Sequence, residues 1–430
     1  MSGLGGANPP AGAGVPRLPP RQKWLIKHRM SRFARKLCWL ALCLPAVAPA
    51  QIDPVQRDLI QFGYNQPLEG REQLAGYVYY YHNQPDFLRT NLTLRLALAP
   101  TYLDSELGFG HALGPNTDLG LGVAGGGFAD NYNEIRGGKW IEGESFDGHG
   151  AELSGSVYHL FNPGQLIPLN LVVRGAAHYS VYDRDETAAN FQLPEDGTTF
   201  NVRTGLRWGG IEPTLFPALA MELSVWYQGE FRTASGAYGF NDDRDVEAAS
   251  HLFWASAALS YTLPESQQNF FARIIAGTSV DADRFSAYRM GGFLPLVAEY
   301  PLSLPGYFFQ ELSARQFALI NASYILPIAP NQRWNLEFNG ATAGIDYLSG
   351  TGQPGNWVSG VGAGVLYRSP SDRFKCIVAY AYGIDAIRSD GRGANSVSIL
   401  MQFDLEKPHG TGFNAAQPGR WNGWNWILGR

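Results

Sequence analysis

A serine, two histidines and several carboxylates are the side chains of this sequence best suited to chemistry. Ser154 with His149 or His159 could supply the nucleophile and base of a lipid hydrolase, which also needs an orienting acid or amide. The spacing argues against it. In an extended segment His159 shares the parity of Leu153 and Val157, whereas Ser154 falls on the opposite face. No nucleophile-elbow pattern surrounds the serine, so no catalytic residue is assigned and the hydrolase stays a third reading. Asn241-Asp-Asp-Arg-Asp245 and Asp281-x-Asp283 offer oxygen ligands of the kind Ca²⁺ takes, but solvated acidic loops account for them better. There is no His/Cys ligand spacing, phosphate-cradling loop or dinucleotide fingerprint, so no metal and no cofactor are expected. The largest group is a set of charges on polar faces: Arg174, Arg203, Arg207, Arg232, Arg273, Arg315 and Arg333, with Glu152, Glu222, Glu230 and Glu337. They could line a selective pore or pair with one another across neighbouring strands.

The elements that position these residues announce themselves by a two-residue alternation. In Leu169–Asp183, Leu169, Leu171, Val173, Ala177, Tyr179 and Val181 oppose Asn170, Arg174, His178 and Ser180. In Leu219–Arg232, Leu219, Met221, Leu223, Val225, Tyr227 and Phe231 oppose Glu222, Ser224, Gln228, Glu230 and Arg232. Phe200–Trp208 and Trp334–Gly344 repeat the pattern. Strands of a soluble sandwich average about five or six residues, and these are two to three times longer. About ten residues tilted near 45° cross a bilayer, and one face in lipid with the other in a wet lumen requires this alternation. An open edge in lipid would leave backbone groups unpaired, so the sheet must close. Composition agrees, with 51 Gly, 13% aromatic and only 17% charged residues. Tyr179, Trp208, Tyr227, Tyr261, Tyr324, Tyr367 and Phe403 sit where interfacial girdles belong.

Counting segments gives an all-β, antiparallel transmembrane β-barrel of about 14 strands, within a range of about 12 to 16. The stretch 90–112 is counted as one strand with a bulge near Pro100, because its leucines change parity there. Short turns at Gly114–Thr117, Asn162–Gln165, Glu212–Phe216, Pro264–Gln267, Ala329–Asn331 and Pro370–Asp372 alternate with long loops. The loops at 131–148, 184–198, 234–248, 284–312 and 347–355 are then extracellular and both termini periplasmic.

Residues 30–50 read as a secretory leader: basic Met30–Lys36, the apolar run Leu37–Leu44, and Ala48-Pro49-Ala50 as a cleavage site. Residues 1–29 precede it as an extension outside the mature protein. Residues 51–72 form a short periplasmic segment, 73–405 the barrel, and 406–430 a Trp-rich periplasmic tail. Residues 1–50 hold eight Lys or Arg and no acid, out of 33 basic and 38 acidic residues in all. The remainder carries a formal charge of −13, which excludes nucleic acid as a natural partner. Beyond the leader only Cys376 remains, so no intrachain disulfide forms. The expected partners are outer-membrane lipid and lipopolysaccharide, and the outer-membrane assembly machinery during biogenesis. The last strand, with Val397, Ile399, Met401 and Phe403 on one face, is similar to the signal by which that machinery recognises its clients, although 27 residues follow it.

The longest loop carries a resemblance. It reads Asp283-Arg-Phe-Ser-Ala-Tyr-Arg-Met-Gly-Gly292 and then Phe293-Leu-Pro-Leu-Val-Ala-Glu-Tyr-Pro-Leu-Ser-Leu-Pro-Gly-Tyr307. This resembles the BamA-type superfamily of outer-membrane proteins, also called the bacterial surface antigen family. There a loop opening with a Gly pair and closing with an Arg-Gly-aromatic motif folds back into the lumen, and five strands follow it. The resemblance covers roughly 280–405. It implies that Gly291 and Gly292 are the opening pair and that Leu304, Pro305, Gly306 and Tyr307 are the closing element, with Pro305 where the family has an Arg anchored to acids of the wall. Family members that assemble or secrete proteins carry periplasmic domains before the barrel, for which 51–72 is too short. The function expected is transport or translocation of a solute or polypeptide, gated by loop 284–312 as a lumen plug. The alternative is a structural or surface-binding barrel with a closed lumen.

Overall fold

The computed structural model describes residues 56–406, except 164, 166, 212–214, 216–218, 296–299, 330 and 390. The leader, the extension before it and the Trp-rich tail lie outside the described residues.

Sixteen long strands form the wall. The first eight are Arg57–Pro67 (β1), Ala75–Pro85 (β2), Leu92–Ala99 (β3), Tyr102–Gly114 (β4), Thr117–Gly126 (β5), Asp147–Leu160 (β6), Leu169–Asp183 (β7) and Gly197–Gly210 (β8). Then come Leu219–Arg232 (β9), Ala249–Thr262 (β10), Asn269–Val280 (β11), Leu312–Pro327 (β12), Trp334–Tyr347 (β13), Trp357–Arg368 (β14), Phe374–Arg388 (β15) and Gly391–Asp404 (β16). Each is antiparallel to the next, and β16 returns to β1 from Leu59↔Asp404 to Pro67↔Ser396. The sheet therefore has no free edge, as backbone pairing in lipid demands.

Parity sorts the side chains as the alternation requires. On β9, Leu223 and Val225 are exposed while Ser224 and Trp226 are buried; on β11, Ile274 is exposed beside buried Arg273 and Ile275. The outer face carries rings at two levels. Trp357 and Tyr367 stand ten positions apart on β14. At about 3.3 Å per residue and a tilt of about 40°, that separation is about 25 Å, the height of an apolar band. At the lower level rings pair between strands, with centroids 4.8 Å apart for Phe270–Tyr324 and Trp334–Tyr367 and 4.6 Å for Phe374–Phe403.

Two corrections raise the strand count from about 14 to sixteen. β1 lies within 51–72, the stretch set aside as a periplasmic segment. The stretch 90–112 is two strands: Leu98 faces Leu103 and Leu94 faces Leu107, so Pro100 and Thr101 are a tight turn. Facing residues there sum to an odd number, so an even-numbered outer row continues as an odd-numbered one. The parity change that suggested a bulge is the mark of a hairpin.

Connections at one end of the barrel are short, none exceeding the eight residues of 161–168 and 211–218. At the other end run 127–146, 184–196, 233–248, 281–311 and 348–356. With sixteen strands, both ends of the described chain lie at the short-turn end. Four of the long loops pack into one roof. Its apolar part is Tyr132, Phe146, Phe191 and Tyr238, with Phe285 and Phe240 against them. Its polar part is the buried Glu134 carboxylate, which Arg284 meets at 2.9 Å, Arg136 at 3.1 Å and Arg244 at 3.5 Å. Glu144 pairs with Arg136 and Arg244 as well. Burial pushes the Tyr132 phenol up to about 12, so it stays a donor to Glu134.

Candidate functional site

The connection 281–311 contains the loop singled out in the sequence, and its folding starts at Asp283. Asp283 Oδ1 accepts the Phe285 and Ser286 N–H groups and the Ser286 hydroxyl, each at 2.9 Å, while Oδ2 accepts from Arg232 at 2.7 Å and from the Glu247 N–H at 2.9 Å. Asp283, one of the candidate Ca²⁺ ligands, thus caps a turn and ties it to the wall. Tyr288–Met290 then pairs with the start of β12, Tyr288 facing Ala314 and Met290 facing Leu312.

Next comes the glycine pair. Gly291 (φ +139) and Gly292 (φ +63) adopt backbone angles that side chains resist. A Cβ on Gly291 would collide with the Phe308 carbonyl, and one on Gly292 would press within 3.1 Å of the Phe309 Cα. Gly291 N–H donates to the Leu302 carbonyl at 3.0 Å, and Leu304 N–H donates to the Gly292 carbonyl at 2.9 Å. The opening and closing elements therefore lie side by side, and Leu304 and Tyr307 are fully buried.

The closing element meets the wall. Gly306 (φ +83) rests on the backbone of Tyr382 and Gly383, which a Cβ would strike; a Cβ on Gly360 would strike Pro305. Gly360 and Gly383 share the buried parity of β14 and β15. Asn321 of β12 donates to the Ser303 carbonyl at 2.8 Å. Leu294 is buried in a cluster with Tyr77, Ile325, Leu366, Ile377 and Leu400 of the wall. Leu215, from the β8–β9 turn, joins that cluster and donates its N–H to Gln402 Oε1 of β16 at 2.8 Å, from half the circumference away.

An ion pair that sequence reasoning missed closes the loop. Arg388 donates to Glu311 Oε1 at 2.8 Å and Oε2 at 3.0 Å, with both side chains buried. Glu311 Oε2 also accepts the Phe308 N–H at 2.8 Å, and the Arg388 guanidinium lies 3.6 Å from the Phe308 ring centroid. Beside it, Glu72 accepts the Phe309 N–H at 3.1 Å. Burial holds the Glu72 carboxyl well above the usual carboxylate range, and Glu311 beside it adds to the rise. Burial also raises Glu311, against the pull of Arg388.

The predicted polar lining divides. Arg174 donates to Glu152 Oε1 at 2.7 Å; Arg203 donates to Gln228 Oε1 at 2.9 Å; Arg232 donates to Glu230 Oε2 at 2.7 Å; Ser224 donates to Glu222 Oε1 at 2.8 Å. Arg207, Arg273 and Glu337 are buried on the same inward parity. Two residues are corrected. Arg315 sits where the β12–β13 register shifts between Ala314 and Gln316, and the bulge turns it out to an exposed pair with Asp346 at 2.6 Å. Arg333 is an exposed residue of the turn before β13. A second register shift, between Gly383 and Ile387 of β15, does the reverse and puts Arg388 on the buried side. Parity also hid the inward Trp226 and Trp254, which their exposed neighbours Val225 and Phe253 could have revealed. Ser154 faces inward, while His149 and His159 lie at opposite ends of the other face of β6, about 30 Å apart along the strand.

No family model matches the sequence, and no curated protein matches it. Among solved structures the chain is similar to BamA from Haemophilus ducreyi lacking POTRA domains 1–3, with a TM-score of 0.51 and 10% identity over 87% of this chain and 77% of that one. It is similar to CdiB from Acinetobacter baumannii, with a TM-score of 0.51 and 10% identity over 81% of this chain and 60% of that one. It is also similar to CdiB from Escherichia coli, with the same TM-score and identity over 83% and 64%. The chain thus spans less than two thirds of either CdiB chain. At this identity the likeness is one of fold: a closed, antiparallel, sixteen-stranded barrel similar to those of BamA and CdiB.

Proposed function

We propose that this chain is an outer-membrane barrel that passes a solute or polypeptide, and that the connection 281–311 is its plug, folded into the lumen. The observation that carries this reading is the seat of the closing element. Pro305 and Gly306 lie on glycines of the buried parity of β14 and β15, where any side chain would collide. A loop lying outside the wall would have no reason to require glycine there. The leader is cleaved after Ala50, the long loops face outside and both termini face the periplasm. The upper ring girdle meets lipopolysaccharide, the lower one the inner leaflet, and the final strand is the part handled by the assembly machinery.

Deleting 290–308 should convert a quiet protein in planar bilayers into a conducting one. A current that stays at baseline after the deletion would overturn the reading.

A second reading has one observation in its favour. The roof is held by a buried Glu134 with three arginines and a cluster of rings, a costly arrangement for loops that merely cover a pore. A fixed outer surface of this kind suits a barrel whose work is binding at the cell surface. It predicts a barrel that conducts in no loop variant.

A further inference from the structure

Trp226 and Trp254 are direct cross-strand neighbours on β9 and β10, both on the buried parity, with ring centroids 6.1 Å apart and planes 12° apart. Trp226 lies flat on the wall because Gly205 beneath it has no Cβ; one placed there would strike the indole. Two indole faces therefore form a floor directed away from the wall. A chain of polar groups climbs from that floor toward the roof. Arg203 lies 5.5 Å from the Trp254 ring and donates to Gln228, which donates to Glu230 Oε1 at 2.7 Å. Arg232 joins Glu230 to Asp283 with 2.7 Å contacts to each. Where this strip meets the roof there is a cavity of about 120 Å³ lined by Ser180, Tyr182, Glu195, Thr199, Arg232 and Phe285.

We propose that this strip is a binding track for a neutral, hydroxyl-rich ring solute, an oligosaccharide, with the two indoles as its innermost subsite; the proposal rests on the transport reading. Aromatic faces carry partial negative charge and attract the polarised C–H groups of a sugar ring. Hydroxyls both donate and accept, so they can exchange into a row of guanidinium, amide and carboxylate groups at either end of each bond. The charges of the strip balance, with Arg203 and Arg232 against Glu230 and Asp283, so the row offers hydrogen bonds without a field that would select an ion. The loop's own Tyr300 ring stands 4.6 Å from Trp254, in the place a sugar ring would take. Closure and occupancy then exclude one another, because plug and solute compete for the same indole.

The test uses planar bilayers, with maltohexaose as probe, on the variant lacking 290–308, which also removes Tyr300. Maltohexaose should interrupt the current at millimolar concentration. Trp254→Leu should weaken that block about tenfold or more, and Trp254→Phe, which keeps a ring, should restore most of it. Tyr300→Ala in the otherwise intact chain should raise maltohexaose affinity, read by tryptophan fluorescence, over the parent. Heat-modifiable gel mobility checks that each variant is folded. A current that maltohexaose leaves untouched, or a block that Trp254→Leu does not weaken, overturns the track and spares the transport reading. Block by an unfolded polypeptide but not by the sugar overturns it in favour of a peptide path. No current at all from the deletion variant overturns both.

Discussion

The pair Glu311–Arg388 gives the sharpest handle on the connection 281–311. Its carboxylate takes two guanidinium hydrogen bonds and the Phe308 N–H, and both charges are shielded from water. Glu311→Ala would leave the buried guanidinium with only the Ile387 carbonyl as acceptor and the Phe308 N–H with none from this carboxylate. Breaking one partner of such a pair costs about 3–5 kcal/mol. The Arg388–Phe308 stacking survives the substitution and offsets about 0.5–2 kcal/mol, so the lower end of that range is the better expectation. At about 1.36 kcal/mol per tenfold, 3 kcal/mol shifts the ratio of seated to unseated loop by about two orders of magnitude. The readout is maleimide labelling of Leu304→Cys, a fully buried position, with Cys376 replaced by Ser to remove the background. Labelling should accelerate about a hundredfold with Glu311→Ala. It should fall back toward the parent rate in the double variant Glu311→Met with Arg388→Met, since apolar replacement of both members of a buried pair is often neutral. Equal labelling rates in the parent and Glu311→Ala, in protein that is folded by gel mobility, would refute the idea that this pair holds the loop.

Three further outcomes are expected. Gly360→Ala should unseat the loop by pushing Pro305 off β14, detectable as faster labelling at Leu304→Cys without loss of the folded barrel. Docking should depend on pH through Glu72 and Glu311. Both carboxyls are raised when buried, so the docked loop is fully stabilised below the ordinary carboxylate value and loses that stability as pH rises through the raised values. Measured relative to an exposed thiol at the same pH, which removes the thiol's own titration, labelling should accordingly be slower at about pH 5 than at about pH 8, and Glu72→Gln should reduce the difference. Finally, Glu134→Gln should loosen the roof by about 3 kcal/mol, exposing Arg136, Arg244 and Arg284 to trypsin added outside. Unchanged trypsin resistance would show that the aromatic cluster holds the roof alone.

The wall was legible because lipid leaves one side chain in two no choice. β7, β9 and β10 display their outward apolar rows over 14 or 15 residues, long enough to separate them from soluble strands. β1 carries the same signal in Ile60, Phe62 and Tyr64 against Gln61, Gly63 and Asn65, but only three outward apolar residues show it, and they follow closely on the leader. The β3–β4 hairpin was missed because its turn, Pro100–Thr101, is the shortest possible, so two strands read as one uneven strand. Bulges defeat the method outright. Parity put Arg315 inside and gave no reason to look at Arg388, and the register shifts in β12 and β15 reverse both assignments.

The connection 281–311 obeys a different logic. Gly291, Gly292 and Gly306 could be picked out because backbone angle and close approach admit no other residue, and a compulsory residue leaves a mark in the sequence. A charge pair leaves no such mark. Attraction between a buried acid and a buried base is the same whichever side of the contact carries which, so neither position is compelled to one residue type. In the superfamily that the loop resembles, the loop carries the Arg and the wall the acids. Here Pro305 stands at that position, the acid is Glu311 of the loop and the base is Arg388 of β15, 77 residues apart. Chemistry that can be exchanged across an interface is invisible to a reading that asks one position at a time what it must be. Only the geometry, which brings Glu311, Arg388 and Phe308 to one point, shows that the loop has a lock.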